Sequence, residues 1–267
     1  MITSSLERIL RQLPDTARLL DVGGWGKPLR RADVVIDQMP YATRGLYGFD
    51  GEEPERFSER TWIQRDICDH DQWPFADDEF DFVVCSQTLE DLRDPVWVCT
   101  ELARVGKAGY IEVPSRLEEQ SYGIQGPWVG WGHHHWLVDI FPDGIEFVFK
   151  HHIVHGRPTS HFPAWFGASL KAEERVAQLW WEGSFRFGER VFIDPAALDT
   201  YLDSFVASEL ARRAPDTPAP IRSTWERVLG GIGRRLDRRY PGPASAPIGT
   251  SAGPPRETPE PRGDRKG

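Results

Sequence analysis

The order of apolar and polar positions divides the chain into a front half that alternates strand and crossover and a back half of different texture. Residues 4–13 place Leu6, Ile9, Leu10 and Leu13 on one helical face, and Pro14 ends the pattern. "ARLLDVG" then reads as a buried strand, and "ADVVID" as a second one with too little chain between them for a helix. "TWIQRDIC" ends a third strand. "EFDFVVCSQ" (79–87) is a fourth, with an unbroken apolar run that suits the middle of a parallel sheet. Helical spacing returns over 94–105, where Trp97, Val98, Leu102 and Val105 share a face behind Asp94 as cap, and "AGYIEVPS" (108–115) is a fifth strand. This alternation predicts an α/β fold: a doubly wound, mostly parallel, Rossmann-like sheet.

After Ser115 the periodicity breaks. Residues 116–135 are rich in Gly, Trp and His. "WLVDIFPDGIEFVFKHHIVH" alternates on both sides of Pro142-Asp143-Gly144, which predicts an antiparallel hairpin finishing the sheet, with "KHHIVH" read as strand. A helix is expected over 169–181 and a strand or small hairpin over 184–194. A further helix starts with Asp194 as cap and Pro195 in its first turn. Over 223–240, Trp225, Val228, Leu229, Ile232 and Leu236 form an apolar stripe on an arginine-rich segment. That basic amphipathic helix can meet an anionic membrane or a partner, or pack back on the body. Residues 241–267 hold 7 prolines and 5 glycines, which predicts a disordered tail. The expected organisation is a catalytic-type domain over 1–210, in which 116–190 is a substrate-covering insertion and closing hairpin, then a linker and basic helix over 211–240, then the tail over 241–267.

Composition narrows the function. No apolar run is long enough to span a membrane and the N-terminus lacks a cleavable leader, so a cytoplasmic protein is expected. Cys68, Cys85 and Cys99 are scattered without a C-x-x-C pair, which argues against disulfides or a zinc knuckle. The net charge of −9 is uneven: residues 211–267 carry +6 and residues 1–210 carry −15. An acidic body repels a phosphate backbone, so nucleic acid is not an expected partner. Oligomeric state is left open.

Candidate chemistry begins at "ARLLDVGGWGKPLRRADVVID". Gly23, Gly24 and Gly26 after a strand permit close approach of a ligand to the backbone, and Asp37 at the end of the next strand can accept from both hydroxyls of a ribose. Asp66, ending the third strand, can receive an adenine amino group. The turn runs directly into a strand, so it lacks the helix N-terminus that anchors a pyrophosphate, and a dinucleotide is disfavoured.

The stretch from 17 to 115 resembles the class I S-adenosylmethionine-dependent methyltransferases of the type 11 kind. The resemblance rests on "PFADDEFDFVVCSQTLEDLRDP", followed in order by "ELARV" and "AGYIEVP". It implies S-adenosyl-L-methionine as cofactor and methyl transfer to a small-molecule acceptor at oxygen or nitrogen. It implies that Asp21, Gly23 and Gly24 line the methionine end, that Asp37 binds the ribose, that Asp66 and Ile67 face the adenine, and that Ser86 and Gln87 close over the sulfonium. Two departures stand out: Trp25 takes the place of a loop glycine, and Gln87 and Asp91, either side of Glu90, stand where the family often has histidines. They motivate an alternative, a non-catalytic methyltransferase-like binding or scaffold protein.

Seven of the 8 histidines fall between 133 and 161. In this fold the segment after the fifth strand covers the substrate, so His133, His134 and His135 are candidates, not distinguished from one another, for taking a proton from the acceptor. With Asp139 or Asp143 the histidines could also hold a metal, but their spacing is poor for ligation and no metal ligand is assigned.

Overall fold

The computed structural model describes residues 1–213. The basic helix expected over 223–240 and the tail over 241–267 lie outside the described residues. Helix α1 (Thr3–Gln12) leads into β1 (Leu19–Val22), β2 (Val34–Asp37) and β3 (Trp62–Gln64) without an α-helix between these strands. Then come β4 (Phe82–Ser86), α2 (Pro95–Val105) and β5 (Ala108–Pro114). The main sheet has the order β3-β2-β1-β4-β5-β8, with β8 spanning Val176–Glu182. Its first five strands are parallel, and β8 closes the edge antiparallel to β5. The class predicted from the alternation is the one observed.

Strand alternation sorts the core into two layers. Leu19, Val35, Phe82, Val84 and Tyr110 turn to one face, where Ile9 of α1 covers them. Leu20, Val22, Val83, Cys85 and Ile111 turn to the other, against Val98, Cys99, Leu102 and Val105 of α2. Asp94 caps α2 by accepting from Trp97 N at 2.9 Å. All three cysteines are buried free thiols. Leu10, expected on the apolar face of α1, is instead exposed.

The segment after β5 has several short parts: α3 (Arg116–Glu119), the hairpin β6 (Trp136–Phe141) and β7 (Gly144–Phe149), α4 (Ile153–Gly156), α5 (Ala164–Ser169) and α6 (Ala172–Arg175). The hairpin forms where expected. It builds a separate three-stranded sheet with β9 (Arg186–Glu189) rather than joining the main sheet, and it packs on the α2 side through Trp136, Val138 and Phe147. Two expectations are corrected. Residues 169–181 are not one helix: after α6 the chain extends into β8, because alternating Leu179 and Trp181 face one layer while Trp180 faces the other, over Tyr110. "KHHIVH" is not strand either, since β7 ends at Phe149 and His151–His152 lead into α4. Helix α7 (Pro195–Arg213) starts as expected, with Asp194 accepting from Ala196 N at 3.0 Å, and continues past residue 210.

The seam between β5 and β8 depends on a missing side chain. Gly109 pairs with Trp181, and a Cβ there would lie 2.5 Å from the Trp181 ring and 2.6 Å from Val83 O. Gly109→Ala is therefore expected to destabilise the protein by about 1–3 kcal/mol through overpacking. Urea unfolding measures it, and a midpoint unchanged from wild type would contradict the packing described.

Candidate functional site

The register brings four polar residues to the carboxyl edge of the sheet on the α1 face. Asp21 is the next-to-last residue of β1, Asp37 ends β2, Ser86 ends β4, and Glu112 lies opposite Ser86 on β5. Asp21 is buried, and its Oδ2 accepts from Leu29 N at 2.8 Å. A Cβ on Gly24 would collide with that carboxylate, so the turn needs glycine there to pass over Asp21. Burial pushes the Asp21 carboxyl up to about 7, the bond from Leu29 N opposing this and the nearby Asp50 and Asp37 adding to it.

Asp37 is only 8% exposed, and burial raises its carboxyl above the usual range. Its oxygens accept from Trp25 N at 3.0 Å and Met39 N at 2.7 Å. The Trp25 indole does not reach across the sheet edge. Its Nε1 donates to Thr43 O at 2.9 Å and Thr43 Oγ1 at 3.0 Å, which ties the glycine turn to the loop after β2. Gly23 has φ +73°, and the space a Cβ would need is filled by buried Thr88 from the turn after β4.

The remaining predicted cofactor residues are engaged locally. The Asp66 carboxylate accepts from Cys68 N at 2.9 Å and Arg93 at 2.7 Å; slight burial pushes its pKa up, but these bonds and the charges of Arg93 and Arg65 together outweigh it and lower the pKa. Ile67 is buried in the core. The side chains of Ser86 and Gln87 donate to Glu112 at 3.2 and 3.3 Å, and Gln87 adopts φ +55°. Glu112 also accepts from Tyr110 at 2.5 Å and Ile2 N at 3.0 Å, and it pairs with the Met1 ammonium at 3.6 Å. Sequence reading missed Glu112. An acid within the apolar strand "AGYIEVP" was the available signal.

On the α2 side, the turn after β4 meets the segment after β5. Glu90 is buried with one carboxyl oxygen unpartnered, and burial holds its pKa well above the usual range. Its main-chain carbonyl accepts from His135 N at 2.8 Å. The Asp91 carboxyl is raised by partial burial, against the pull of His134 and His133. The histidine candidates separate: His133 and His135 are exposed, while His134 is tucked in with Nδ1 2.7 Å from Glu119 Oε1. Glu119 is 1% exposed, and its other oxygen accepts from Lys150 at 2.7 Å. Of the tryptophans, Trp136 is core, Trp128 is exposed, and Trp131 donates to Glu118 at 3.1 Å. A cavity of about 320 Å³ lies beside Glu118, Tyr122, Trp131 and Arg175.

Residues 39–111 match a family model described as a methyltransferase domain. The match contains Asp66, Ile67, Ser86 and Gln87 and begins after the glycine turn and Asp37. Among solved structures the chain is similar to a protein of Bacillus halodurans C-125 assigned as a methyltransferase, at 18% identity over 42% of this chain and 52% of that one, with a TM-score of 0.31. It is similar to an S-adenosylmethionine-dependent methyltransferase of Thermotoga maritima, at 18% identity over 45% and 53%, with a TM-score of 0.29. A third is the S-adenosylmethionine-dependent methyltransferase of Mesorhizobium loti, at 12% identity over 57% and 64%, with a TM-score of 0.30. The chain thus spans less than two thirds of the length of these structures. No curated protein matches it.

The raised pKa of Asp21 has a defined consequence. A carboxyl whose pKa is higher folded than unfolded stabilises the fold fully below about pH 4, and that contribution is lost as pH rises to about 7. Asp21→Asn, which keeps an acceptor for Leu29 N, should raise stability at pH 8 by on the order of 3 kcal/mol relative to wild type and change it little at pH 4. Urea titrations at the two pH values measure this, and an equal effect at both would contradict it.

Proposed function

We propose that the chain transfers a methyl group from S-adenosyl-L-methionine to oxygen or nitrogen of a small-molecule acceptor in the cytoplasm, a reading supported by the match of residues 39–111 to a methyltransferase domain. The observation that carries the reading is the acidic edge beside the glycine turn. Asp21 and Asp37 lie there together, and the amide of Leu29, which could have helped cradle a phosphate, is already bound by Asp21. These groups fit a cofactor with a cationic sulfur, an ammonium and a ribose diol, and they repel a pyrophosphate.

Asp37 keeps lone pairs beyond those given to Trp25 N and Met39 N, and these would take the ribose hydroxyls. Asp21, Gly23 and Gly24 would line the methionine end. Asp66 and the main chain of Ile67 would edge the adenine, and Ser86 and Gln87, held by Glu112, would flank the sulfonium. When bound, the cofactor supplies a methyl group already activated by its sulfonium. The protein's task is to align the acceptor with that carbon and to exclude water. Among the three histidines, His134 is the best positioned base. A carboxylate can only accept, so Glu119 fixes the proton on Nδ1 and leaves the Nε2 lone pair for an acceptor proton.

One observation favours the alternative of a non-catalytic binding protein: Thr88 fills the space over Gly23, and Asp37 is nearly covered. Isothermal calorimetry with S-adenosyl-L-methionine separates the two readings. Saturable binding is expected, weakened about 10–100-fold in Asp37→Ala by loss of charge-assisted hydrogen bonds to the ribose. No binding at millimolar cofactor would sink the proposal and leave the scaffold reading.

A further inference from the structure

Asp91, on the turn after β4, faces His133 and His134 from the segment before β6. His134 Nε2 is 3.7 Å from Asp91 Oδ1, and His133 Nε2 is 4.0 Å from Asp91 Oδ2. One ligand atom from each of the three residues lies within 4.8 Å of the other two. Ligands about 2.0–2.1 Å from a tetrahedral zinc ion stand about 3.3 Å apart. The two histidine contacts go to different Asp91 oxygens, so closing all three groups on an ion needs side-chain shifts of up to about 1.5 Å. Asp91 and His133 have the freedom for this, with side chains 41% and 56% exposed.

A second observation points to a ligand. Glu119, almost fully buried, accepts from Nδ1 of His134 at 2.7 Å. This carboxylate–histidine pair is the outer support that metal-binding histidines commonly have: it fixes the tautomer and orients the ring. Lys150 neutralises the other oxygen of Glu119, at 2.7 Å, and also donates to Trp131 O at 2.7 Å, so its charge is spent behind the ring. The carboxylates nearest in sequence to the histidines are committed elsewhere: Asp139 to Arg116 and Tyr201, and Asp143 to Arg186.

We propose that Asp91, His133 and His134 form a binding site for a divalent transition-metal ion of the zinc class, supported by Glu119. Three protein ligands leave at least one coordination position open on the side facing solvent. On the methyl-transfer reading, that position would hold an acceptor oxygen, and the ion would then polarise the acceptor, a task otherwise given to His134 as base. This clause rests on the proposed function; metal binding itself does not.

The test uses the full chain without cofactor. Co²⁺, as a visible-absorbing stand-in, and Zn²⁺ by competition are titrated into wild type, Asp91→Asn, His133→Ala and a His151→Ala control. The expected result is one ion per chain with a visible d–d spectrum. Affinity should fall at least 10-fold in Asp91→Asn and in His133→Ala, two half-exposed positions whose loss leaves the core intact, and stay unchanged in His151→Ala. Glu119→Gln should weaken binding 10–100-fold. Absence of stoichiometric binding, or binding equal in wild type and Asp91→Asn, overturns the site. Calorimetry with S-adenosyl-L-methionine on the same samples keeps the two ideas apart, since cofactor binding without metal sinks only this site and metal without cofactor sinks only the methyl-transfer reading.

Discussion

Removing carboxyl groups from water at one edge of a sheet is the constraint on which this structure turns. Asp21, Asp37, Glu90, Glu112 and Glu119 are all buried near the carboxyl ends of β1, β2, β4 and β5. Each must be neutral, hydrogen-bonded or paired, because an isolated buried charge is prohibitive. The protein uses all three solutions. Burial shifts Glu90 toward its neutral form, Asp37 collects main-chain amides, and Glu119 is clamped between Lys150 and His134. Such expense at one edge of a doubly wound sheet is where a binding site is expected on physical grounds.

The same edge explains the glycine turn and its tryptophan. Gly24 leaves room for Asp21 to turn back toward Leu29, and Trp25 sends its main-chain N–H to Asp37 while its ring goes to Thr43. The tryptophan thus replaces part of the missing crossover helix: it braces the loop after β2 against the turn.

Much of the frame was legible from periodicity. The strands of the parallel sheet, α2 with its Asp94 cap and the hairpin at Pro142-Asp143 follow from local pattern and turn chemistry. What escaped depended on pairing at a distance. "VAQLWWE" has the spacing of a helix end until Gly109 opens a slot for Trp181, and only the partner strand reveals that slot. Likewise "HHH" carries no ligand spacing by itself. The geometry appears when Asp91, 42 residues earlier, is folded against His133, and Glu119 and Lys150 close in behind His134. Glu112 was hidden for the same reason, because its partners lie on β4 and at the N-terminus.

A crystal structure of the protein soaked with S-adenosylhomocysteine tests the central claim most directly. The account predicts ribose hydroxyls within hydrogen-bond distance of the Asp37 carboxylate, the amino-acid end beside Gly23 and Gly24, and Thr88 displaced from its contact with Gly23. Nucleoside density away from Asp37, or an unchanged Gly23–Thr88 contact with no ligand at saturating concentration, would contradict it.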